Sequence, residues 1–140
     1  MSLRWRGRVS RSLLETGYAP RISDAAAFAR QNRVVLLQSR DGIPIDVALA
    51  ALPFEEGAVE RSSKFEFEPG CALRTCSAED LVIFKLFAFR PRDVLDVEGV
   101  ATRQRAALDW EYIARNLRPL AEVKEQPEIL ETLEKLSGPK

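Results

Sequence analysis

The chain contains no histidine and only two cysteines, Cys71 and Cys76. Without histidine, the usual Ser-His-Asp and Cys-His catalytic arrangements and the commonest general base are excluded. The two cysteines lack the Cys-x-x-Cys spacing of a zinc site and are too few for a disulfide framework. Any chemistry of this chain must therefore depend on carboxylates, lysine, arginine or a bound metal ion.

The sequence also lacks an excess of charge of either sign and a long apolar run. Its 21 basic and 21 acidic residues give a formal net charge of zero, which argues against strongly electrostatic binding to nucleic acid or membranes. No run is long enough to span a bilayer and no signal peptide is recognisable, so we expect a cytoplasmic protein. A length of 140 residues suits a single domain with its own core, residues 1–140.

Residues 33–50 predict a β-hairpin. An apolar, β-rich run over residues 33–39 is followed by the turn signal Asp41-Gly42 and by a second strand over residues 43–50. Asp46 is the only charged residue of that second strand. Its side chain could face water from an edge strand, or it could be a rigidly held carboxylate suited to metal binding or base catalysis. The spacing alone favours neither interpretation.

The remaining elements predict an α+β fold. A short helix over residues 9–16, ended by Gly17, and a second helix capped by Ser23 precede the hairpin. Residues 64–68 alternate as a strand that directs Phe65 and Phe67 inward. A short helix over residues 55–61 comes before this strand and another strand over residues 72–75 follows it. The C-terminal half is predicted to be helical. There we expect Asp109 to cap a helix that Pro119 interrupts, and a last helix to begin at Pro127.

The most informative stretch runs from Ser77 to Val97. Ser77, with Asp80 three residues later, is typical of a helix start. The following run is apolar around most of the helix circumference, so we expect this helix to lie inside the domain. Lys85 interrupts that apolar run. A helix that served only as part of the hydrophobic core would not need a lysine at this position.

A charged cluster follows the apolar helix. Pro91 suits the first turn of a second helix, on which Asp93 and Asp96 share one face. One interpretation is a lysine that reaches solvent beside a solvated corner of ion pairs, which composition alone favours. The other is a functional site with a buried lysine near two carboxylates. The cluster comprises Arg90, Arg92, Asp93 and Asp96.

The order of these features resembles the AbiEii/MenA-type minimal nucleotidyltransferases, which include the toxin halves of abortive-infection toxin–antitoxin systems. The resemblance covers most of the chain, from about Val9 to Leu120. It is carried by the hairpin with Gly-Ile-Pro-Ile-Asp-Val, the following Leu-Pro-Phe-Glu-Glu and the whole stretch from Ser77 to Val97. The last of these three segments is the most specific.

The resemblance implies a truncated, mixed nucleotidyltransferase sheet over residues 9–76, followed by a helical part over residues 77–136. Asp46 would correspond to a catalytic and metal-binding carboxylate, and Lys85 to the lysine that contacts nucleotide phosphates. The implied activity is Mg²⁺-dependent transfer of a nucleotidyl group from a nucleoside triphosphate to an RNA or protein hydroxyl. The charged motif lining the same nucleotide-binding cleft would be Arg90, Arg92, Asp93 and Asp96.

The sequence departs from the family in one respect. The family's first motif, a Gly-Ser at a helix start followed by a strand with Asp-x-Asp, has no counterpart here. One aspartate is a poor Mg²⁺ site, so we expect this chain alone, whether truncated or degenerate, to be inactive or incomplete as an enzyme. A sheet without its first strand would have an open edge, which predicts a homo-oligomer. The alternative is a non-catalytic interaction module or toxin–antitoxin-like component with the same fold.

Overall fold

The computed structural model describes residues 17–138. The helix expected over residues 9–16 lies outside the described residues. The strands are β1 (Ala19–Pro20), β2 (Val34–Gln38), β3 (Pro44–Ala48), β4 (Ser63–Glu68) and β5 (Cys71–Thr75). The helices are α1 (Ala25–Asn32), α2 (Pro53–Arg61), α3 (Ala78–Ala88), α4 (Pro91–Gln104), α5 (Trp110–Lys124) and α6 (Glu128–Ser137).

These elements confirm an α+β fold with a helical C-terminal half. The strands form two small antiparallel sheets, one with the order β1-β2-β3 and one with the order β4-β5, rather than one mixed sheet. The described residues divide into two compact units, and the boundary between Glu56 and Gly57 falls within α2. Among the described residues, no helix has the length and apolar character needed to cross a membrane.

The first unit is built on the predicted hairpin. β2 pairs antiparallel with β3, and Leu36 lies opposite Asp46. Alternation along β3 turns Ile45 and Val47 toward the core and leaves Asp46 exposed. The α1 helix starts after Asp24, one residue later than the predicted cap Ser23. The buried core of this unit consists of Ala29, Val35, Leu37 and Leu49.

In the second unit the end of α2 leads into the β4–β5 hairpin, where one prediction is wrong. The strand is present, but Phe65 and Phe67 are 59% and 49% exposed instead of facing inward. Alternation indicates which residues share a face, and it does not indicate what covers that face. A bulge between Glu66 and Glu68 interrupts the pairing near the turn.

The α3 helix is the centre of the helical part, as its apolar circumference predicts. It packs against α4, α5 and α6, and the Ser77 hydroxyl accepts a hydrogen bond from the Asp80 N–H at 3.1 Å, which confirms the predicted cap. The predicted start of α4 at Pro91 is also confirmed. The fully buried aliphatic side chains of this part are Val82, Ile83, Leu86, Val97, Ile113, Leu117 and Ile129.

The α5 helix shows a second wrong prediction. It begins after its predicted cap Asp109, but it continues through Pro119 to Lys124. A proline inside a helix removes one backbone hydrogen bond and costs about 3 kcal/mol or more. Burial of Ile113, Leu117 and Ala121 along one stripe on both sides of the proline offsets that cost.

The core position of Ile113 gives a stability prediction. Replacing Ile113, which is 0% exposed, by alanine should lower the free energy of unfolding by about 2–5 kcal/mol, because a cavity remains in the packed core. The matched control Val123→Ala on the same helix, at a residue 77% exposed, should change it by less than about 0.5 kcal/mol. Urea unfolding measures both values, and equal effects would contradict this assignment of the core.

Candidate functional site

The structure brings Lys85 of α3 together with two carboxylates of α4. The Lys85 Nζ lies 3.1 Å from Asp93 Oδ1 and 2.7 Å from Asp96 Oδ2. The short corner between the helices makes this possible, because Phe89 adopts a left-handed conformation with φ 56° directly after α3. Asp93 and Asp96 share one face of α4, as their spacing predicts.

Asp93 is the centre of this cluster and is 1% exposed. The Arg90 guanidinium donates from Nε to Asp93 Oδ2 at 2.6 Å and from Nη2 to Oδ1 at 3.2 Å. The Arg90 backbone N–H also donates to Asp93 Oδ2, at 3.3 Å, which caps the start of α4. A buried carboxylate is thus satisfied by two cations and one backbone donor, as burial of a charge requires.

These contacts shift the protonation equilibria of the cluster. The Arg90 guanidinium, supported by the Lys85 ammonium, holds the pKa of Asp93 well below its usual range, although burial opposes this effect. Hydrogen bonds to Asp96 and Asp93 raise the pKa of Lys85. The bond to Asp93 likewise raises the pKa of Arg90. All three groups are therefore charged at neutral pH.

A shallow depression of about 340 Å³ lies beside this cluster. Its polar side chains are Lys85, whose side chain is 29% exposed, together with Asp96 and Arg103. Arg103 forms no salt bridge with any residue in the part of the chain described. The volume falls in the lower part of the range of small-ligand pockets. The apolar lining is Leu81, Leu95, Gly99 and Val100.

Arg92 does not join the ion-pair cluster. It is exposed in the first turn of α4 and makes no salt bridge within residues 17–138. Of the residues predicted from the charged stretch, the structure therefore brings four together at one corner and leaves Arg92 outside their ion pairs. These four are Lys85, Arg90, Asp93 and Asp96.

Asp46 lies in the first unit, on the exposed face of β3. Its side chain is 61% exposed, and its Oδ1 accepts a hydrogen bond from Arg21 Nη2 at 2.6 Å. Residues 17–138 contain no group of three or more acidic or cysteine side chains placed to hold a metal ion. A single carboxylate beside a guanidinium supplies too few oxygen ligands for Mg²⁺. The described residues therefore do not fit a magnesium site at Asp46.

A second buried carboxylate, Asp80, was missed as a candidate. Asp80 is 1% exposed, and its Oδ1 accepts hydrogen bonds from Arg61 Nη2 at 3.0 Å and from the Tyr112 hydroxyl at 2.8 Å. Burial and the bond to Asp80 raise the pKa of Tyr112. The sequence indicates Asp80 only as a helix-start residue. Its long-range partners, 19 and 32 residues away, leave no local signal.

Comparison with known proteins adds no family assignment. No protein-family model matches the chain, and no curated protein matches it. The resemblance to the AbiEii/MenA-type nucleotidyltransferases therefore stays a prediction that rests on the motifs of the sequence.

The lowered pKa of Asp93 predicts how stability depends on pH. The Asp93 carboxylate should stabilise the fold fully at pH values above the pKa of an aspartate in the unfolded chain, about 3.9. This stabilisation should decrease as the pH falls from there toward the lower pKa of Asp93 in the folded protein. Asp93→Asn should therefore have a lower free energy of unfolding than the parent chain at pH 7. The difference between the two free energies should decrease below about pH 4. Urea unfolding from pH 7 to pH 3 tests this, and a difference independent of pH would refute it.

Proposed function

We propose that the chain is a nucleotide-binding protein of the nucleotidyltransferase type and that Lys85 contacts the phosphates of a nucleoside triphosphate. The observation that carries this proposal is the ammonium group of Lys85, fixed between Asp93 and Asp96 at the edge of the depression. The resemblance of the sequence to nucleotidyltransferases supports the same assignment independently.

The geometry is compatible with phosphate binding at Lys85. A lysine ammonium has three N–H donors, of which Asp93 and Asp96 take two. The third donor can bind a phosphate oxygen without breaking the ion pairs. Arg103 lines the same depression, and a guanidinium suits bidentate contact with phosphate. The apolar side chains Leu81 and Leu95 offer a surface for the base or the sugar.

Transfer of the nucleotidyl group requires bound metal and an attacking hydroxyl in addition to nucleotide binding. The implied reaction uses Mg²⁺ bound with the nucleoside triphosphate and an attacking hydroxyl on RNA or protein. The described residues hold no carboxylate cluster around Asp46 that would bind further metal. We therefore propose nucleotide binding for this chain and assign transfer only to a form in which other carboxylates complete the site.

The second candidate is a non-catalytic interaction module, as in a toxin–antitoxin-like complex. The observation that favours it is the β4–β5 hairpin, in which all residues of both strands are exposed. Exposed aromatic side chains on one face are typical of surfaces that bind other proteins. Nucleotide binding and a protein interaction can coexist on one chain, so the two candidates do not exclude each other.

Lys85→Ala tests nucleotide binding. Calorimetric titration with the magnesium complexes of ATP, GTP, CTP and UTP should show binding of at least one by the parent chain. Lys85→Ala should weaken it about tenfold or more, because a charge-assisted hydrogen bond contributes more than about 1.4 kcal/mol. Lys135→Ala, which removes an exposed lysine of α6, should bind like the parent. Absence of binding by the parent at millimolar nucleotide would refute the proposal.

Asp46→Ala tests the transfer reaction separately. The exposed pair with Arg21 should contribute less than about 1 kcal/mol to stability, so the variant should remain folded. If radiolabelled nucleotide is transferred to RNA or protein in the presence of Mg²⁺, we expect Asp46→Ala to abolish that transfer and to leave the stability nearly unchanged. Transfer at the parent rate would remove Asp46 from the catalytic residues.

A further inference from the structure

The β4–β5 hairpin has an apolar face that the described structure leaves exposed. Phe65 lies opposite Leu73 on the neighbouring strand, and both are more than half exposed, at 59% and 58%. Phe67 follows on the same strand at 49% exposure. A two-stranded hairpin is only marginally stable in water, whereas additional strands make a sheet stable. Additional strands that extend the sheet would therefore stabilise this hairpin.

On the opposite face of the hairpin, two positive charges lie side by side on neighbouring strands. Lys64 lies directly opposite Arg74, and like charges in this position destabilise a strand pair. Arg74 donates hydrogen bonds to the Ser62 hydroxyl and carbonyl oxygens. Lys64 has no salt bridge with any described residue. A carboxylate brought to Lys64 from outside the hairpin would offset this repulsion.

The outer edge of β4 can supply that carboxylate from a second copy of the chain. When β4 is placed antiparallel to itself about a two-fold axis through Phe65, each Lys64 lies opposite Glu66 of the other copy. A shift of the axis to Glu66 places Lys64 opposite Glu68 instead, but it also places the two Glu66 residues opposite each other. The register centred on Phe65 therefore has the better charge complementarity.

The other edge of the hairpin lacks this complementarity. Along β5 the only charged residue is Arg74, so two antiparallel β5 strands would bring no opposite charges together. From this difference we propose that the chain forms a two-fold symmetric dimer through the outer edges of two β4 strands. The inference goes beyond nucleotide binding at Lys85 and does not depend on it.

This pairing would meet several requirements of the hairpin at once. It joins the strands into one four-stranded sheet with the order β5-β4-β4-β5, so that the two β4 edges are no longer open. It brings the two Phe65 side chains side by side on the apolar face, where aromatic cross-strand pairs are favourable. Glu66 uses one carboxylate oxygen to accept a bond from the Gly70 N–H at 2.8 Å. Its other oxygen can accept from Lys64 of the second copy.

The self-complementary charges allow a reciprocal test. In one variant, Lys64→Glu, all charged residues of β4 are acidic. In the other, Glu66→Lys with Glu68→Lys, all charged residues of β4 are basic. In sedimentation velocity, the parent chain should be a dimer. Each variant alone should dimerise at least about tenfold more weakly, because like charges then face each other. An equimolar mixture should recover the dimer, because both pairs in the mixed dimer are again opposite in charge.

A control variant and the re-formation of the dimer on mixing separate a specific effect on β4 pairing from unfolding. Glu122→Lys reverses an exposed charge on α5, outside the hairpin, and should dimerise like the parent. Recovery of the dimer on mixing also shows that both hairpin variants are folded, and circular dichroism checks each variant alone. A monomeric parent at hundreds of micromolar would overturn the proposal. So would a dimer that tolerates both reversals, or folded variants that do not recover the dimer when mixed.

Discussion

The buried carboxylate of Asp93 joins the start of α4 to α3 through three donor groups. It accepts from the Arg90 backbone at the start of α4, it binds the Arg90 guanidinium, and it binds the Lys85 ammonium of α3. A carboxylate that is 1% exposed is stable only when such donors replace water. The corner between α3 and α4, and with it the position of Lys85 beside the depression, depends on this group of charges.

Asp80 has a related role at the opposite end of α3. Its Oδ1 accepts hydrogen bonds from Arg61 and Tyr112, so a second buried carboxyl group connects this helix to α2 and α5. The two carboxylates differ in what lies next to them. Asp96 and Lys85, both bonded within the Asp93 cluster, line the depression, whereas Asp80 is not among its lining residues. For this reason we place the candidate binding site at Lys85 and regard the Asp80 contacts as structural.

Short-range signals in the sequence predicted much of the fold. The hairpin of β2 and β3, the helix starts after Ser77 and Asp109 and at Pro91, and the shared face of Asp93 and Asp96 all agree with the structure. The helix starts depend on residues a few positions apart, and the hairpin joins two neighbouring strands through a short turn. The predicted interruption of α5 at Pro119 was wrong. Buried side chains on both sides of the proline offset the free energy lost with its missing hydrogen bond.

The sequence alone therefore determined the α+β character, most element positions and the candidate residues of the charged corner. Only the tertiary structure decided which partners those residues have. It placed Lys85 between two carboxylates, gave Asp80 its partners on α2 and α5, and left Phe65 and Phe67 exposed. The physical reason is that capping and turn formation are local, whereas burial and ion pairing depend on which distant segments pack together.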